Sequence, residues 1–256
     1  MNVLEKFSLK GKTAIITGGT SGLGKAMAES LANAGADISI IGRRKELGLQ
    51  VEREISEKTG RKVLFINGDV RYIEDVKNFV KKVMEEFGKI DILINSAGIN
   101  IRKNVEEMSE EEAKEVFETN FWGTWNTCKI VGKYMIEKKY GRIINIGSML
   151  SFVTLPGRSI YASTKGAIVQ LTRTLAIEWA KYNITVNCIC PGVFDTPINE
   201  KILKDPEIKK FFLERIPIGR LGNPEELGPL AIFLSSDACP FLTGSAIIVD
   251  GGWTCV

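Results

Sequence analysis

Residues 12–24 read K-T-A-I-I-T-G-G-T-S-G-L-G, and this segment predicts the architecture of the whole chain. The apolar, β-branched run at its start is typical of a buried strand. Residues 25–35 then carry apolar side chains at helical spacing until Gly35 ends the pattern. A strand, a glycine turn and a helix in this order favour a dinucleotide site, because glycines let the backbone approach a pyrophosphate and the helix N-terminus offers free N–H groups. The spacing is G-x-x-x-G-x-G, and the alternative is a turn that is merely tight.

Strand and helix patterns alternate along the remaining sequence. Short apolar runs predict further strands at 37–41, 62–67, 90–95, 142–146, 184–189 and 246–249. Amphipathic or capped segments predict helices at 45–59, 74–87, 109–138, 160–182 and 224–235. This alternation favours a single-domain α/β fold over residues 1–256, a Rossmann-type doubly wound parallel sheet with helices on both faces.

Residues 193–222 interrupt the alternation. They contain Pro197, Pro206 and Pro217 and only two short helical patches, and they follow the carboxyl end of a predicted strand. Ligands of open parallel sheets bind at that end. The segment is therefore predicted to be a lid on the substrate side of the site.

The end of the second strand bears on the choice of coenzyme. A dinucleotide fold that takes NAD carries Asp or Glu near this point, where the carboxylate holds the ribose 2′-hydroxyl. Here Gly42 is followed by Arg43 and Arg44. A guanidinium pairs well with a 2′-phosphate, so the sequence predicts NADP, with NAD possible. The alternative is that both arginines simply begin the next helix.

Residues 145–165 predict the chemistry. Tyr161 and Lys165 are four residues apart and share one face of a predicted helix. We expect the ammonium to lower the pKa of the phenol and make it an acid or base near neutral pH. Ser148 follows the neighbouring strand and can donate a hydrogen bond to a substrate oxygen. Tyr134 and Lys138 have the same spacing but no such serine, so we interpret that pair as a solvated helix face.

The composition excludes several classes of function. There is no histidine among the 256 residues, which excludes serine–histidine and cysteine–histidine hydrolysis and histidine metal sites. The net charge of +3, without long like-charge runs, argues against nucleic-acid or membrane partners. Five cysteines without metal-ligand spacing, and no expected secretory signal, favour a cytoplasmic protein. We therefore expect a small-molecule substrate and no bound metal.

With these residues in place, the chain resembles the short-chain dehydrogenase/reductase family over its full length. The order and spacing of six motifs carry the resemblance: Thr17-Gly18-x-x-x-Gly22-x-Gly24, Asn95-Ser96-Ala97-Gly98, Asn120, Ser148, Tyr161-x-x-x-Lys165 and Pro191-Gly192. Ser96 departs from the pattern, since the family more often has a second asparagine there. Within the family the chain looks most similar to gluconate 5-dehydrogenases and 2-deoxy-gluconate 3-dehydrogenases, through residues 98–102, 148–152 and 250–253.

The resemblance implies a catalytic role for four residues. Tyr161 is similar to the family's proton donor in reduction and base in oxidation, and Lys165 to the residue that binds the nicotinamide ribose. Ser148 would polarise the substrate carbonyl, and Asn120 would hold a water in a proton relay. Besides Tyr161 and Lys165, the expected cofactor contacts are Gly18, Ser21, Gly22, Leu23, Gly24, Arg43, Arg44, Asp69, Val70, Asn95, Ala97, Gly98, Pro191, Gly192, Val193 and Thr196.

The substrate is predicted to be a sugar acid, a keto sugar or a related polyol. Arg102 is the candidate anchor for a carboxylate, with Arg158 as its rival and two surface arginines as the alternative. Met149 and Trp253 are further candidate substrate contacts. A 3-oxoacyl-(acyl-carrier-protein) reductase and a non-catalytic NADP(H)-binding sensor remain alternative functions. The resemblance also implies a homotetramer.

Overall fold

Seven strands form a parallel sheet in the computed structural model, which describes residues 2–256 apart from the side chains of residues 201–203. Met1, the first residue of the predicted domain, lies outside the described residues. The strands are β1 Thr13–Thr17, β2 Asp37–Gly42, β3 Val63–Asn67, β4 Ile92–Asn95, β5 Gly141–Ile146, β6 Ile184–Pro191 and β7 Ala246–Val249. Their order across the sheet is β3-β2-β1-β4-β5-β6-β7, which confirms the predicted fold class.

Helices cover both faces of this sheet. They are α1 Gly22–Asn33, α2 Lys45–Thr59, α3 Ile73–Phe87, α4 Glu110–Phe117, α5 Gly123–Lys138, α6 Ser159–Trp179, α7 Pro197–Leu203, α8 Pro206–Arg215 and α9 Gly228–Ser235. Buried side chains of α1, α2 and α9 pack against one face, and those of α3, α5 and α6 against the other.

β1 shows why the strands appear in the sequence as continuous apolar runs. Ala14 and Ile16 belong to the core beneath α1, α2 and α9, whereas Ile15 between them belongs to the opposite core. Successive side chains of a strand point to opposite faces, and all three are fully buried. Since this strand has no exposed face, its sequence shows a continuous apolar run instead of an alternation.

The strand order leaves a crevice between β1 and β4. After β3 the chain crosses to the other side of β1, where β4 pairs with β1 in parallel register from Ala14 with Ile92 to Thr17 with Asn95. The segments that follow these two strands therefore diverge from one another. Open parallel sheets bind ligands at this point, outside the carboxyl ends of the strands.

Several predicted boundaries shift for local reasons. α1 begins at Gly22, earlier than the predicted residue 25, because glycines carry no side-chain pattern. A π-helical segment, Glu118–Trp122, divides the predicted 109–138 helix into α4 and α5. β6 runs on to Pro191, where the missing N–H breaks no ladder bond with β5, since pairing with that strand ends at Ile189.

The lid segment contains the two short helices that its sequence predicts, α7 and α8. The two ends of this segment are held together, because Asp195 N–H donates to Gly222 O at 2.9 Å and Gly222 N–H donates to Val193 O at 3.0 Å. Phe194 between them is buried in the core beneath α1. Among residues 2–256, none of the helices has both the length and the apolarity that crossing a membrane requires.

Candidate active site

Most of the predicted site residues surround one cavity of about 570 Å³ at the carboxyl end of the sheet. The glycine turn lies on one side of the cavity, and the ends of β4, β5 and β6 lie on the other. The predicted residues in its wall are Gly18, Ser21, Gly22, Leu23, Gly24, Arg43, Arg44, Asp69, Val70, Ala97, Gly98, Arg102, Ser148, Met149, Arg158, Tyr161, Lys165, Pro191, Gly192, Val193 and Thr196.

Three predicted site residues do not line the cavity. Asn95 is buried beneath it, where its Nδ2 donates to Asn145 Oδ1 at 2.8 Å. Asn120 is fully buried behind the wall. Trp253 is also buried, and its ring packs 5.7 Å from that of Phe212, which does line the cavity. These residues therefore support the wall from behind.

The glycine turn brings β1, α1 and the end of β4 closer together than side chains would allow. A Cβ on Gly18, whose φ is +67°, would lie 2.8 Å from Ala97 Cα. A Cβ on Gly24 would lie 2.4 Å from Gly18 O. Both distances are shorter than van der Waals contact, so the first turn of α1 packs directly on the backbone of the preceding turn.

The N-terminus of α1 is open toward the cavity. Ser21 occupies the N-cap position but makes no capping hydrogen bond. Its hydroxyl instead accepts a bond of 2.7 Å from Arg44 Nη2. The first amides of α1, at Gly22, Leu23 and Gly24, therefore lack a side-chain acceptor and line the cavity. Uncapped amides at the positive end of a helix dipole suit the pyrophosphate of a dinucleotide.

Arginines surround the far end of the same cavity. Arg43 is half exposed, and its Nη1 lies 4.0 Å from Asp69 Oδ2. Arg71 holds the Asp69 carboxylate more closely, through Nε at 2.9 Å and Nη2 at 2.7 Å. Burial opposes ionisation of Asp69, but the Arg71 guanidinium outweighs it and lowers the pKa of the carboxyl. Arg44, beside Arg43, donates to the neutral hydroxyls of Thr20 and Ser21, so this region can accept a phosphate.

Ser148 is fixed so that its hydroxyl proton is free for a ligand. Its Oγ accepts a hydrogen bond of 3.1 Å from the Leu150 N–H, as the N-cap of a short 3-10 turn. The Ser148 N–H in turn donates to Ser151 Oγ at 3.3 Å. Ser148 is only 7% exposed and lines the cavity. Its hydroxyl keeps one O–H donor and one acceptor lone pair, and it lies within hydrogen-bonding reach of the Tyr161 phenol.

Lys165 is a buried cation that the backbone holds in place. Its Nζ donates to Ile146 O at the end of β5 at 2.7 Å and lies 5.6 Å from the centre of the Tyr161 ring. Burial lowers the pKa of this ammonium to about 8, against opposing contributions from Cys188 and Cys190. Lys165 therefore loses its proton far more easily than a lysine in water.

The pKa of Tyr161 differs from the expectation. Burial raises the pKa of this phenol above its ordinary value, while Ser148, Arg102 and Arg158 act to lower it. The prediction that Lys165 lowers the pKa was wrong for this structure, because desolvation is the largest influence and the ammonium bonds to Ile146 O instead. Tyr161 is thus a neutral proton donor at neutral pH.

Asn120 connects the π-helical segment to the loop after β4. Its Oδ1 accepts from Ile99 N–H at 2.8 Å, and its Nδ2 donates to Ile99 O at 3.0 Å and to Thr164 Oγ1 at 3.2 Å. These bonds use the whole side-chain amide to hold loop and helix together. A π-helical turn at such a place is frequent at functional sites, and a water relay at Asn120 stays a prediction.

Arg102 and Arg158 share the substrate end of the cavity with Tyr161. Burial and, to a smaller extent, the nearby Arg102 lower the pKa of Arg158 to about 10, whereas Tyr161 opposes the shift. Burial likewise lowers the pKa of Arg102. Neither guanidinium forms an ion pair with any carboxylate among the described side chains. Two like charges are therefore held close together in a partly desolvated wall.

Four polar residues of the site were not predicted. Asn100 and Thr119 line the cavity, and Asn100 Oδ1 and Thr119 Oγ1 are buried without a hydrogen-bond partner among the described residues. Asn199, on the lid, and Arg71, behind Asp69, make their contacts only in the folded chain. Only Arg71 carried a sequence signal, an opposite charge two residues from Asp69.

The second Tyr-x-x-x-Lys pair does not reach the cavity. Tyr134 packs on the core that contains Val131 and Met135, and Lys138 forms an ion pair with Asp91 at the opposite end of the sheet. No group of acidic or cysteine side chains in the described part of the chain is arranged to hold a metal ion.

Comparison with known proteins relates this geometry to families of enzymes. A family model described as enoyl-(acyl carrier protein) reductase matches residues 18–254. The chain is 39% identical to the 3-oxoacyl-(acyl-carrier-protein) reductase FabG of Chlamydia muridarum, over 95% of this chain and 98% of that protein. It is 40% identical to the 2-dehydro-3-deoxy-D-gluconate 5-dehydrogenase of Dickeya dadantii, over 98% of both.

A solved structure agrees over the whole chain. The gluconate 5-dehydrogenase of Burkholderia cenocepacia, crystallised in complex with NADP and tartrate, superposes with a TM-score of 0.96. That protein is 34% identical, and the match covers 100% of both chains. The likeness therefore includes the glycine turn, helix α6, which carries Tyr161 and Lys165, and the predicted lid at 193–222.

Proposed function

Because the chain belongs to the short-chain dehydrogenase/reductase family, we propose that it uses NADP(H) to interconvert a ketone and a secondary alcohol on a sugar acid or a related polyol. Relatives in this family act on CH–OH groups, and the chain is an oxidoreductase of the same family. The proposal concerns the coenzyme, the substrate and the residues that bind them.

The pair of arginines beside Tyr161 is the observation that carries the proposed substrate. Burying Arg102 and Arg158 together without a carboxylate partner opposes folding, since each loses hydration and repels the other. Features that oppose stability in this way concentrate at functional sites. A carboxylate between the two guanidiniums would restore the lost interactions through charge-assisted hydrogen bonds.

Unpartnered acceptors in the same wall favour a ligand that carries hydroxyl groups. Asn100 Oδ1 and Thr119 Oγ1 are buried in the cavity wall without a partner among the described residues. A buried acceptor without a donor costs about 1–3 kcal/mol. If these side chains rotate toward the cavity, the hydroxyls of a polyol could donate to their oxygens, whereas an alkyl chain has no donor.

The residues present fit NADP(H). The uncapped amides of α1 would hold the pyrophosphate, and Arg43 and Arg44 would hold the 2′-phosphate. When bound, the nicotinamide supplies or accepts the hydride.

Tyr161, Ser148 and Lys165 would move the proton. The phenol stays protonated at neutral pH and can donate to the carbonyl oxygen as that oxygen gains negative charge. Ser148 offers its O–H to the same oxygen, which lowers the energy of the developing alkoxide. In the oxidation direction the phenolate is the base, and Ser148, Arg102 and Arg158 favour that anion. Lys165, 5.6 Å from the ring, would bind the nicotinamide ribose beside it.

The relatives support the same substrate class. Dehydrogenases of 2-dehydro-3-deoxy-D-gluconate and of gluconate act on sugar acids, which carry a carboxylate and several hydroxyls. The Burkholderia structure contains tartrate, a dicarboxylate with two hydroxyls. These properties are the ones that Arg102, Arg158 and Asn100 would recognise here.

A 3-oxoacyl thioester is the second candidate substrate. The Chlamydia muridarum reductase of that class is as similar in sequence as the sugar-acid dehydrogenases. The cavity also has an apolar side, formed by Met149, Leu155, Val193 and Phe212, against which an acyl chain could pack. With a thioester substrate, Tyr161 and Ser148 would keep their proposed roles. The reacting group would have no carboxylate to bind the two arginines.

A substrate panel tests the proposal. Oxidation of NADPH and of NADH is followed by absorbance with 5-keto-D-gluconate, fructose, sorbose, a 3-oxoacyl thioester and a simple diketone. We expect the keto acid to give the highest kcat/KM, and NADPH to be preferred. A preference for the thioester would replace the sugar acid with the second candidate, and a preference for NADH would remove the proposed role of Arg43 and Arg44.

A further inference from the structure

Asn199 lies where the lid meets the cavity wall and joins Arg102 to the main fold. Its Oδ1 accepts a hydrogen bond of 2.8 Å from Arg102 Nη2. Its Nδ2 donates to Phe194 O at 3.0 Å. Arg102 Nη2 also donates to Ile198 O at 3.2 Å. One side-chain amide therefore connects the guanidinium to the buried base of the lid.

The orientation of this amide is fixed by its two partners. Turning it over would bring an N–H group against the guanidinium and an oxygen against the Phe194 carbonyl, so both bonds would be lost. Phe194 itself is 4% exposed and lies in the main core. Asn199 is thus held by the rigid base of the lid, although it belongs to helix α7.

Arg102 benefits from this support because its side chain is long and flexible. Holding such a side chain in one rotamer costs conformational entropy. Asn199 and Ile198 occupy one nitrogen, Nη2, while the buried Nε has no partner among the described residues. Nη1 is not among these buried atoms, and because Arg102 lines the cavity, Nη1 is the nitrogen that a ligand can reach.

The chemistry of residue 199 preserves the charge of Arg102. An amide oxygen accepts a hydrogen bond from the guanidinium without neutralising it, whereas a carboxylate at the same place would form an ion pair. The next residue, Glu200, directs its carboxylate away, toward Lys204 at 2.9 Å. The lid therefore holds the arginine through a neutral group only.

We propose that Asn199 is a positioning residue that holds Arg102 for the carboxylate of the substrate and couples carboxylate binding to the placement of α7. This inference rests on the proposed function. The same guanidinium bonds to α7 and to the ligand, so a bound carboxylate restricts the arginine and, through it, the helix. A neutral ketone makes no such contact and gains nothing from Asn199.

Tartrate binding to the protein saturated with NADPH tests this role without turnover, since tartrate has no ketone to reduce. We expect Asn199→Ala to raise the calorimetric Kd for tartrate about tenfold. Asn199→Asp should raise it at least as much, although it retains an acceptor for Arg102, because it neutralises the guanidinium. Glu200→Ala, one residue further along the helix, is the matched control and should bind like the wild type.

Hydrogen exchange in α7 tests the coupling. Tartrate should slow exchange of the α7 amides in the wild type and in Glu200→Ala, but not in Asn199→Ala. In all three, kcat and KM for the neutral diketone and the Kd for NADPH should agree within about twofold. A loss of tartrate binding without a change in diketone kinetics or NADPH affinity distinguishes the positioning of Arg102 from a general loss of lid structure.

The outcomes distinguish this inference from the proposed function. Unchanged tartrate affinity in Asn199→Ala would overturn the role of Asn199 and leave the sugar-acid proposal standing. Parallel losses of tartrate binding, NADPH binding and diketone turnover would show a merely structural residue and also overturn it. No tartrate binding by the wild type in the presence of NADPH would overturn the carboxylate site and the role of Asn199 together.

Discussion

The charged residues of the site are buried in ways that oppose folding and favour a ligand. Lys165 satisfies one N–H with the Ile146 carbonyl, and Arg102 and Arg158 lie close together without a carboxylate among the described side chains. Lys165 is 5% exposed, at a depth where side chains are usually apolar, and the two arginines are partly buried. The site can therefore be identified, at the scale of single residues, by charged side chains that do not stabilise the fold.

Replacing Tyr161 with Phe tests the proton donor. Loss of the hydroxyl should lower kcat by about 10³-fold, because a positioned acid or base contributes factors of 10² to 10⁴. The Kd for NADPH, measured by fluorescence, should stay within about threefold. Tyr134→Phe, at the other Tyr-x-x-x-Lys pair, is the matched control and should leave kcat unchanged. Retention of a tenth or more of wild-type turnover in Tyr161→Phe would contradict the role.

Lys165 should lower the free energy of unfolding by an amount that depends on pH. Its pKa is about 8 in the folded chain, against 10.5 for an ordinary lysine, so between these values the unfolded state binds the additional proton. The destabilisation that Lys165 causes is therefore largest below pH 8, and it decreases as the pH rises from 8 to 10.5. We expect Lys165→Met, without NADPH, to raise the free energy of unfolding at pH 7 by about 2 kcal/mol.

Urea unfolding of Lys165→Met at several pH values measures this effect. The advantage of the variant should shrink from pH 8 toward pH 10.5, while its turnover is lost. Lys133→Met, an exposed lysine on α5, should change stability by less than about 0.5 kcal/mol at any pH. A pH-independent advantage, or none, would show that Lys165 is not a destabilising buried cation.

At the scale of elements, the glycine turn and the first turn of α1 form one unit. Gly24→Ala should cost about 1–3 kcal/mol, since its Cβ would lie 2.4 Å from Gly18 O and α1 would have to move. That movement should also weaken NADPH binding more than tenfold. Chemical denaturation and NADPH titration of the variant measure both effects.

Gly166→Ala is the matched control for this substitution. Gly166 lies inside α6, and a Cβ there would meet no atom within 4 Å. Alanine should therefore stabilise the protein by about 0.5–1 kcal/mol through the higher helix propensity of that residue. If both glycines tolerated alanine equally, close packing at the glycine turn would not be what fixes α1.

Much of this arrangement could be predicted from the sequence, and there are physical reasons why the remainder could not. Buried strands and the glycine turn have local signatures, so β1, α1, Tyr161 and Lys165 were recognisable. The π-helical turn at Asn120 keeps a helical pattern and was not. Asn199 meets Arg102 across 97 positions, and the pKa of Tyr161 depends on desolvation by the whole fold, which no local pattern records.

At the scale of the whole molecule, the sheet gathers residues from distant parts of the chain at one edge. The predicted homotetramer concerns the outer surface, where the rings of Trp122 and Trp125 are 44% and 40% exposed and lie 6.1 Å apart. Light scattering should give a mass about four times that of the 28.3 kDa chain. A mass equal to that of one chain would contradict the tetramer and leave the site unaffected.

The central claim is that Arg102 makes the enzyme selective for carboxylate-bearing ketones. The most direct measurement is kcat/KM with NADPH for 5-keto-D-gluconate and for fructose, in the wild type, Arg102→Ala and the exposed control Arg173→Ala. A hydrogen bond to a charged group contributes about 1.5–3 kcal/mol, so Arg102→Ala should lose about 10- to 100-fold with the keto acid. With fructose it should lose less than about threefold, and Arg173→Ala should resemble the wild type with both. An equal loss with the two substrates would contradict the claim, because Arg102 would then not distinguish a substrate that has a carboxylate from one that lacks it.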